Sequence, residues 1–136
     1  MNEELGDLVS ELRERLLAEG QDRVARAADA AAALAALVDW HVDFALAHQP
    51  LIVVQDRDWQ SLPTAARERV RTLQRAYVDL WATQLRRRHR GLSEDSARAM
   101  AHAAFGLINS TPHSSLLPAA AMRDLLREMA LRSLDA

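Results

Sequence analysis

Apolar residues in this chain return every third or fourth position, and so few breakers interrupt them that strands have almost nowhere to form. Leu5, Leu8, Val9, Leu12 and Leu16 set the pattern. Their i, i+3, i+4 spacing is one buried stripe of an amphipathic helix. The spacing returns at Leu34, Leu37, Val38, His41, Phe44 and Ala45, and at Val70, Leu73, Tyr77, Leu80, Trp81 and Leu85. It recurs at Met122, Leu125, Leu126, Met129 and Leu134. Ala, Leu, Arg and Glu dominate the remainder, and these carry the smallest helix penalty. Gly and Pro number only four each among 136 residues, so the segments between them are long. The expected fold is all-α: a helical bundle of about five main helices plus a short one. Residues 1–136 read as one domain, long enough to bury a core without disulfides or metal.

Punctuation places the boundaries. The first helix is expected over residues 3–18, its early turns acidic and its end at Gly20. The second covers residues 22–48 and stops before Pro50. Residues 51–59 (LIVVQDRDW) have strand-like composition in part, but no partner strand exists, so a short helix is expected. The third helix starts at Pro63 and runs to His89, where Arg90 and Gly91 close it. Ser93 is the expected N-cap of the fourth, which ends near Ser110 ahead of Pro112. The fifth covers residues 118–134.

Several function classes lose support. The formal charge of −2 is neither that of a basic nucleic-acid binder nor that of an acidic tail. There is no Cys, which rules out disulfide and thiolate chemistry. Acids fill the N-terminal region where a leader peptide needs positive charge, and the apolar run at residues 30–38 is too short to span a membrane. A soluble cytoplasmic protein with no membrane partner is expected. The chain has no GxSxG elbow, HExxH pair or phosphate-cradling glycine loop. Asp39, His41 and Asp43 alternate along a helix, so they point apart and do not converge on a metal. No catalytic residue, metal site or cofactor is expected.

Three segments taken in order carry a family likeness: residues 37–51 (LVDWHVDFALAHQPL), 62–85 (LPTAARERVRTLQRAYVDLWATQL) and 92–115 (LSEDSARAMAHAAFGLINSTPHSS). Together they resemble the core of TetR-family transcription regulators of the actinobacterial type. The likeness rests on order, spacing and lengths, not on one chemical signature. It implies a ligand-binding and dimerisation body whose last two long helices pair with those of a second copy as a four-helix bundle. It also implies an apolar or lipid-like small-molecule effector, and DNA contact only through a helix-turn-helix head. Met1 opens directly on the first body helix, so the head is expected to be missing here. A headless chain could instead form heterodimers with full-length relatives. An enzyme with a site around His41 and Tyr77 is the third alternative.

Through this resemblance Trp40, His41, Phe44, Trp59, Tyr77, Trp81, Phe105 and Asn109 are the expected ligand-binding residues. Met100, Ala103, Gly106, Leu107, Ser110, Met122, Leu125, Leu126 and Met129 are the expected dimer interface. Each has a plainer reading. The aromatic residues could fill an ordinary core, and His41 could be a satisfied core histidine. His102 and Asn109, on one face of the fourth helix, could reach the pocket or pair across a dimer seam. The small residues Ala99, Ala103, Gly106 and Ser110 allow close helix approach, either within one copy or between two. Arg86, Arg87, Arg88 and Arg90 could meet an anion or simply solvate a helix C-terminus.

Overall fold

The computed structural model describes residues 2–48, 50, 57–110 and 116–135. Among them are five α-helices: α1 (Asn2–Arg26), α2 (Ala30–Ala47), α3 (Thr64–Arg88), α4 (Glu94–Asn109) and α5 (Ala119–Asp135). A single 3-10 turn, Trp59–Ser61, precedes α3. Residues 51–56, most of the expected short helix, lie outside the described residues.

The boundary between the first two helices differs from expectation. Gly20 does not end α1, which continues to Arg26. The reason is packing. A Cβ at Gly20 would stand 3.2–3.4 Å from Leu80, Tyr77 and Leu37, so the missing side chain lets α1 cross closely over α2 and α3. That contact outweighs the roughly 1 kcal/mol helix penalty of glycine. The break falls at residues 27–29 instead. There the Asp29 carboxylate accepts the Ala32 N–H at 2.8 Å and starts α2.

The other ends follow the sequence cues. Ser93 caps α4 by accepting the Ser96 N–H at 3.1 Å. Gly91 takes a left-handed φ of 86° in the turn after α3, a conformation open to glycine. His89 Nε2–H donates to the Leu134 carbonyl at 2.7 Å and ties the end of α3 to the end of α5. Arg86 donates to the Leu92 carbonyl, Arg87 to Gln84 and Arg88 faces Asp135, so three of the clustered arginines serve the C-terminal end of α3.

α2 lies at the centre and packs on all four other helices. It is the one described helix long and apolar enough to cross a membrane by length and composition. Its expected stripe is instead buried in protein: Leu34, Leu37, Val38, His41, Phe44 and Ala45 all lie inside. Trp81, Leu16, Leu85 and Ile108 complete the core from the other helices. The opposite edge of α2 meets α5 through ion pairs of Asp39 with Arg127 and Asp43 with Arg123. These pairs are partly exposed and fix orientation more than they add stability. They also show that Asp39 and Asp43 turn away from His41, as the alternating spacing predicts.

Candidate ligand recess

A recess of about 220 Å³ opens where α1, α2, α3 and α4 converge. α2 contributes His41, and α3 contributes Gln74, Tyr77 and Val78. His102, Phe105 and Asn109 come from α4, and Arg13 from α1. His102 is exposed and marks the mouth, whereas His41 and Tyr77 are each 3% exposed and form the floor.

The floor is a hydrogen-bonded chain. Asn109 Oδ1 can only accept, so His41 Nε2–H donates to it at 3.2 Å. Nδ1 of the neutral ring is then an acceptor, and it receives the Tyr77 hydroxyl at 3.0 Å. The Asn109 amide N–H groups and the Gln74 amide remain as polar functions of the wall. Around the chain the rings are packed edge and face. His41 stacks on Phe105 at 4.9 Å and on Tyr77 at 5.6 Å, and Trp81 stands edge-on to both His41 and Phe105. The Trp81 indole N–H is buried without a hydrogen-bond acceptor in bonding geometry.

Burial holds both titratable floor residues neutral. Burial, opposed by the Asn109 bond and aided by the nearby Arg13 charge, lowers His41 from the ordinary 6.5 to about 4. Burial likewise raises the Tyr77 phenol above its ordinary value, with Trp81 and the Arg13 and Arg23 charges acting the other way. The His41 shift makes a stability prediction. Between the folded value near 4 and the unfolded value of 6.5 the unfolded chain binds the extra proton. The stabilisation from neutral His41 is therefore complete above 6.5 and is lost as pH falls toward 4. At pH 5 the loss is about 2 kcal/mol, from about 1.4 kcal/mol per pH unit below the unfolded value. His41→Gln should remove that share of the acid sensitivity. Urea unfolding at pH 5 and pH 7.5 checks it, and an equal acid loss in both proteins would contradict it.

The recess gathers His41, Tyr77, Phe105 and Asn109 from the expected ligand-binding residues and leaves the others outside its lining. Trp81 lies directly behind the rings and is fully buried. Trp40 turns the other way: its indole N–H donates to the Leu16 carbonyl at 2.9 Å, and its ring meets Phe44 and Arg23. Phe44 packs between Trp40 and His48. Trp59 lies under the Arg71 guanidinium in the turn before α3. The lining is also more polar than the apolar chamber expected. Arg13 and Gln74 are the polar members of their stripes, each a turn from apolar neighbours (Val9 and Leu16, Val70 and Tyr77), and a polar residue at such a place carries no signal of its own. His102 does reach the recess, one of the two destinations its spacing left open.

The expected interface residues divide as well. Ala99, Ala103, Gly106 and Ser110 form an exposed row along α4, with Met100 and Leu107 half-buried beside it. A Cβ on Gly106 would meet nothing within 4 Å, so no close contact inside the described chain requires that glycine. On α5, Leu125 and Met129 are 41% and 46% exposed, one turn apart. Met122 and Leu126 face the opposite way and belong to the chain's own core.

The sequence pattern of the family described as Tetracyclin repressor-like, C-terminal domain, matches residues 27–113. The chain belongs to this family. The match takes in α2, α3 and α4, and with them every recess residue except Arg13. No curated protein matches the chain. The all-helical architecture is that of a TetR C-terminal domain, the part of such regulators that binds effectors and dimerises. TetR domains of this kind are regulatory in general. The neutral His41–Tyr77 pair is in keeping with that role, since neither group is tuned toward neutral pH for proton transfer.

Proposed function

We propose that this TetR-type domain senses a small molecule in the His41 recess and works as a homodimer joined through α4 and α5. The observation that carries the reading is the recess itself. A buried, fully neutral hydrogen-bond chain from Tyr77 through His41 to Asn109 lines an open space, where an ordinary core would have closed. The exposed small-residue row of α4 and the exposed Leu125 and Met129 of α5 supply adjoining surfaces for a two-fold partner.

The same arrangement suggests how occupancy is transmitted. α2 presents His41 to the recess on one side and Asp39 and Asp43 to α5 on the other. α1 lines the recess through Arg13 and packs along α2 and α3. A ligand that fits one setting of these helices better than another shifts the balance by that difference in affinity and no more. In a regulator the shift would set the spacing of two DNA-binding heads.

Native mass spectrometry of the protein isolated from its own cells tests the sensor reading. The expected spectrum shows a dimer carrying one small organic molecule per protomer. A spectrum of bare polypeptide at every concentration would contradict it.

A further inference from the structure

We propose that the effector is a small uncharged ring compound carrying a carbonyl oxygen, held with that oxygen on the Asn109 amide N–H and its ring against Phe105. The assignment rests on the effector reading above and adds the chemistry of the ligand. Three features of the recess lead to it.

The first is the direction of the hydrogen-bond chain in the floor. The Tyr77 hydroxyl gives its proton to His41 Nδ1, and His41 Nε2–H gives its own to Asn109 Oδ1. The chain therefore ends on a donor. Asn109 has spent its oxygen, and its two N–H bonds have no acceptor among the described residues. Its half-buried side chain lines the open space, so a guest has to answer with an acceptor. The Gln74 amide in the same lining offers both a donor and an acceptor. The second feature is charge. Burial keeps His41 and Tyr77 neutral, and no Asp or Glu lines the recess. Arg13, the charged member of the lining, has an interaction of its own within the chain. An ion set against neutral groups loses its water without gaining a counter-charge, whereas a carbonyl exchanges one hydrogen bond for another. The third is size and shape. A space of 220 Å³ equals about seven waters and lies below the roughly 300 Å³ at which drug-sized sites begin. Phe105 is the half-buried member of the ring cluster it forms with His41, Tyr77 and Trp81, and it supplies the apolar wall. A single ring fills such a space, and a long acyl chain does not. The lining therefore points away from a lipid-like guest.

Benzamide, benzoate and benzamidinium share one flat shape and differ in charge. They are the probes, titrated calorimetrically into the full chain at pH 7. Benzamide is expected to bind about tenfold more tightly than either ion, with an affinity indifferent to salt. The side-chain amide signals of Asn109 should move as benzamide is added. Asn109→Asp keeps an acceptor for His41 Nε2–H and replaces the free donor by a carboxylate oxygen. It should weaken benzamide about tenfold and hand the preference to benzamidinium, a switch that loss of folding cannot imitate. Either ion binding as tightly as benzamide, with the His41 ring signals perturbed, would overturn the neutral assignment and leave the effector recess standing. Benzamide binding that leaves the Asn109 signals still, or that is indifferent to Asn109→Asp, would overturn the assignment by placing the carbonyl elsewhere. No binding of any probe would overturn the assignment and count against the recess as a ligand site too.

Discussion

Leu125→Glu combined with Met129→Glu is expected to turn a dimeric protein into a folded monomer. Both side chains stand on the outer face of α5, 41% and 46% exposed, one turn apart and clear of the chain's own core. In a lone chain, substitutions at such positions change stability by about 0.5 kcal/mol or less. In a two-fold interface each change occurs twice, and every new carboxylate is buried against apolar surface without a partner. Central interface positions cost about 2 kcal/mol or more each. Two copies of even one such loss weaken the dimer by about 4 kcal/mol, roughly a thousandfold. Sedimentation velocity reads the mass, and circular dichroism confirms that the helices remain. Met122→Glu is the contrasting change: that residue is 8% exposed within the core cluster, and its replacement should unfold the chain itself. A double variant that sediments as the wild type would remove α5 from the interface.

Trp81→Ala should have the largest effect on the fold. Trp81 is fully buried, and its ring stands edge-on to His41, Tyr77 and Phe105, behind the floor of the recess. Truncating a buried Trp costs about 3–5 kcal/mol, because the lost transfer energy is joined by a cavity the neighbours fill only in part. For a chain of this size that lowers Tm by roughly 10 °C or more. Trp81→Phe gives up part of the buried ring but keeps an aromatic side chain against His41, Tyr77 and Phe105. It should cost clearly less than the alanine change. Calorimetric melting of both variants checks the order. Equal melting of wild type and Trp81→Ala would mean that the rings of the recess do not rest on this residue.

The distribution of these roles shows which features of the chain were legible. The stripe from Leu34 to Ala45 is buried as its spacing requires, and Ser93 caps α4 as its position ahead of Glu94 and Asp95 suggests. Those signals are local, carried by neighbours in sequence. Gly20 was misread because the same residue type ends helices and permits close crossings, and only Leu37, Tyr77 and Leu80 from other helices distinguish the two. Asp29 is a cap visible in hindsight, a lone acid inside an alanine run.

The recess was legible in part for a similar reason. α2 is covered on nearly every side, so periodicity marks His41 and Phe44 as inward, with Trp40 on the flank of the stripe, without telling which neighbour each one faces. His41 turns toward α3 and α4, and Trp40 toward α1. Arg13 follows Leu12 on the shoulder of the α1 stripe, where a charged side chain reads as solvated surface. Only the convergence of four helices makes it part of the lining.

The central claim is that the recess around neutral His41 is the effector site, and the imidazole nitrogen spectrum of the histidines tests it most directly. His41 should appear as a neutral Nε2–H ring at pH 6, and its signals should move when the molecule recovered from the native protein is added back. His48, packed on Phe44, and His89, bonded to the Leu134 carbonyl, lie outside the recess and should stay still. Binding of that molecule with His41 unmoved would contradict the account.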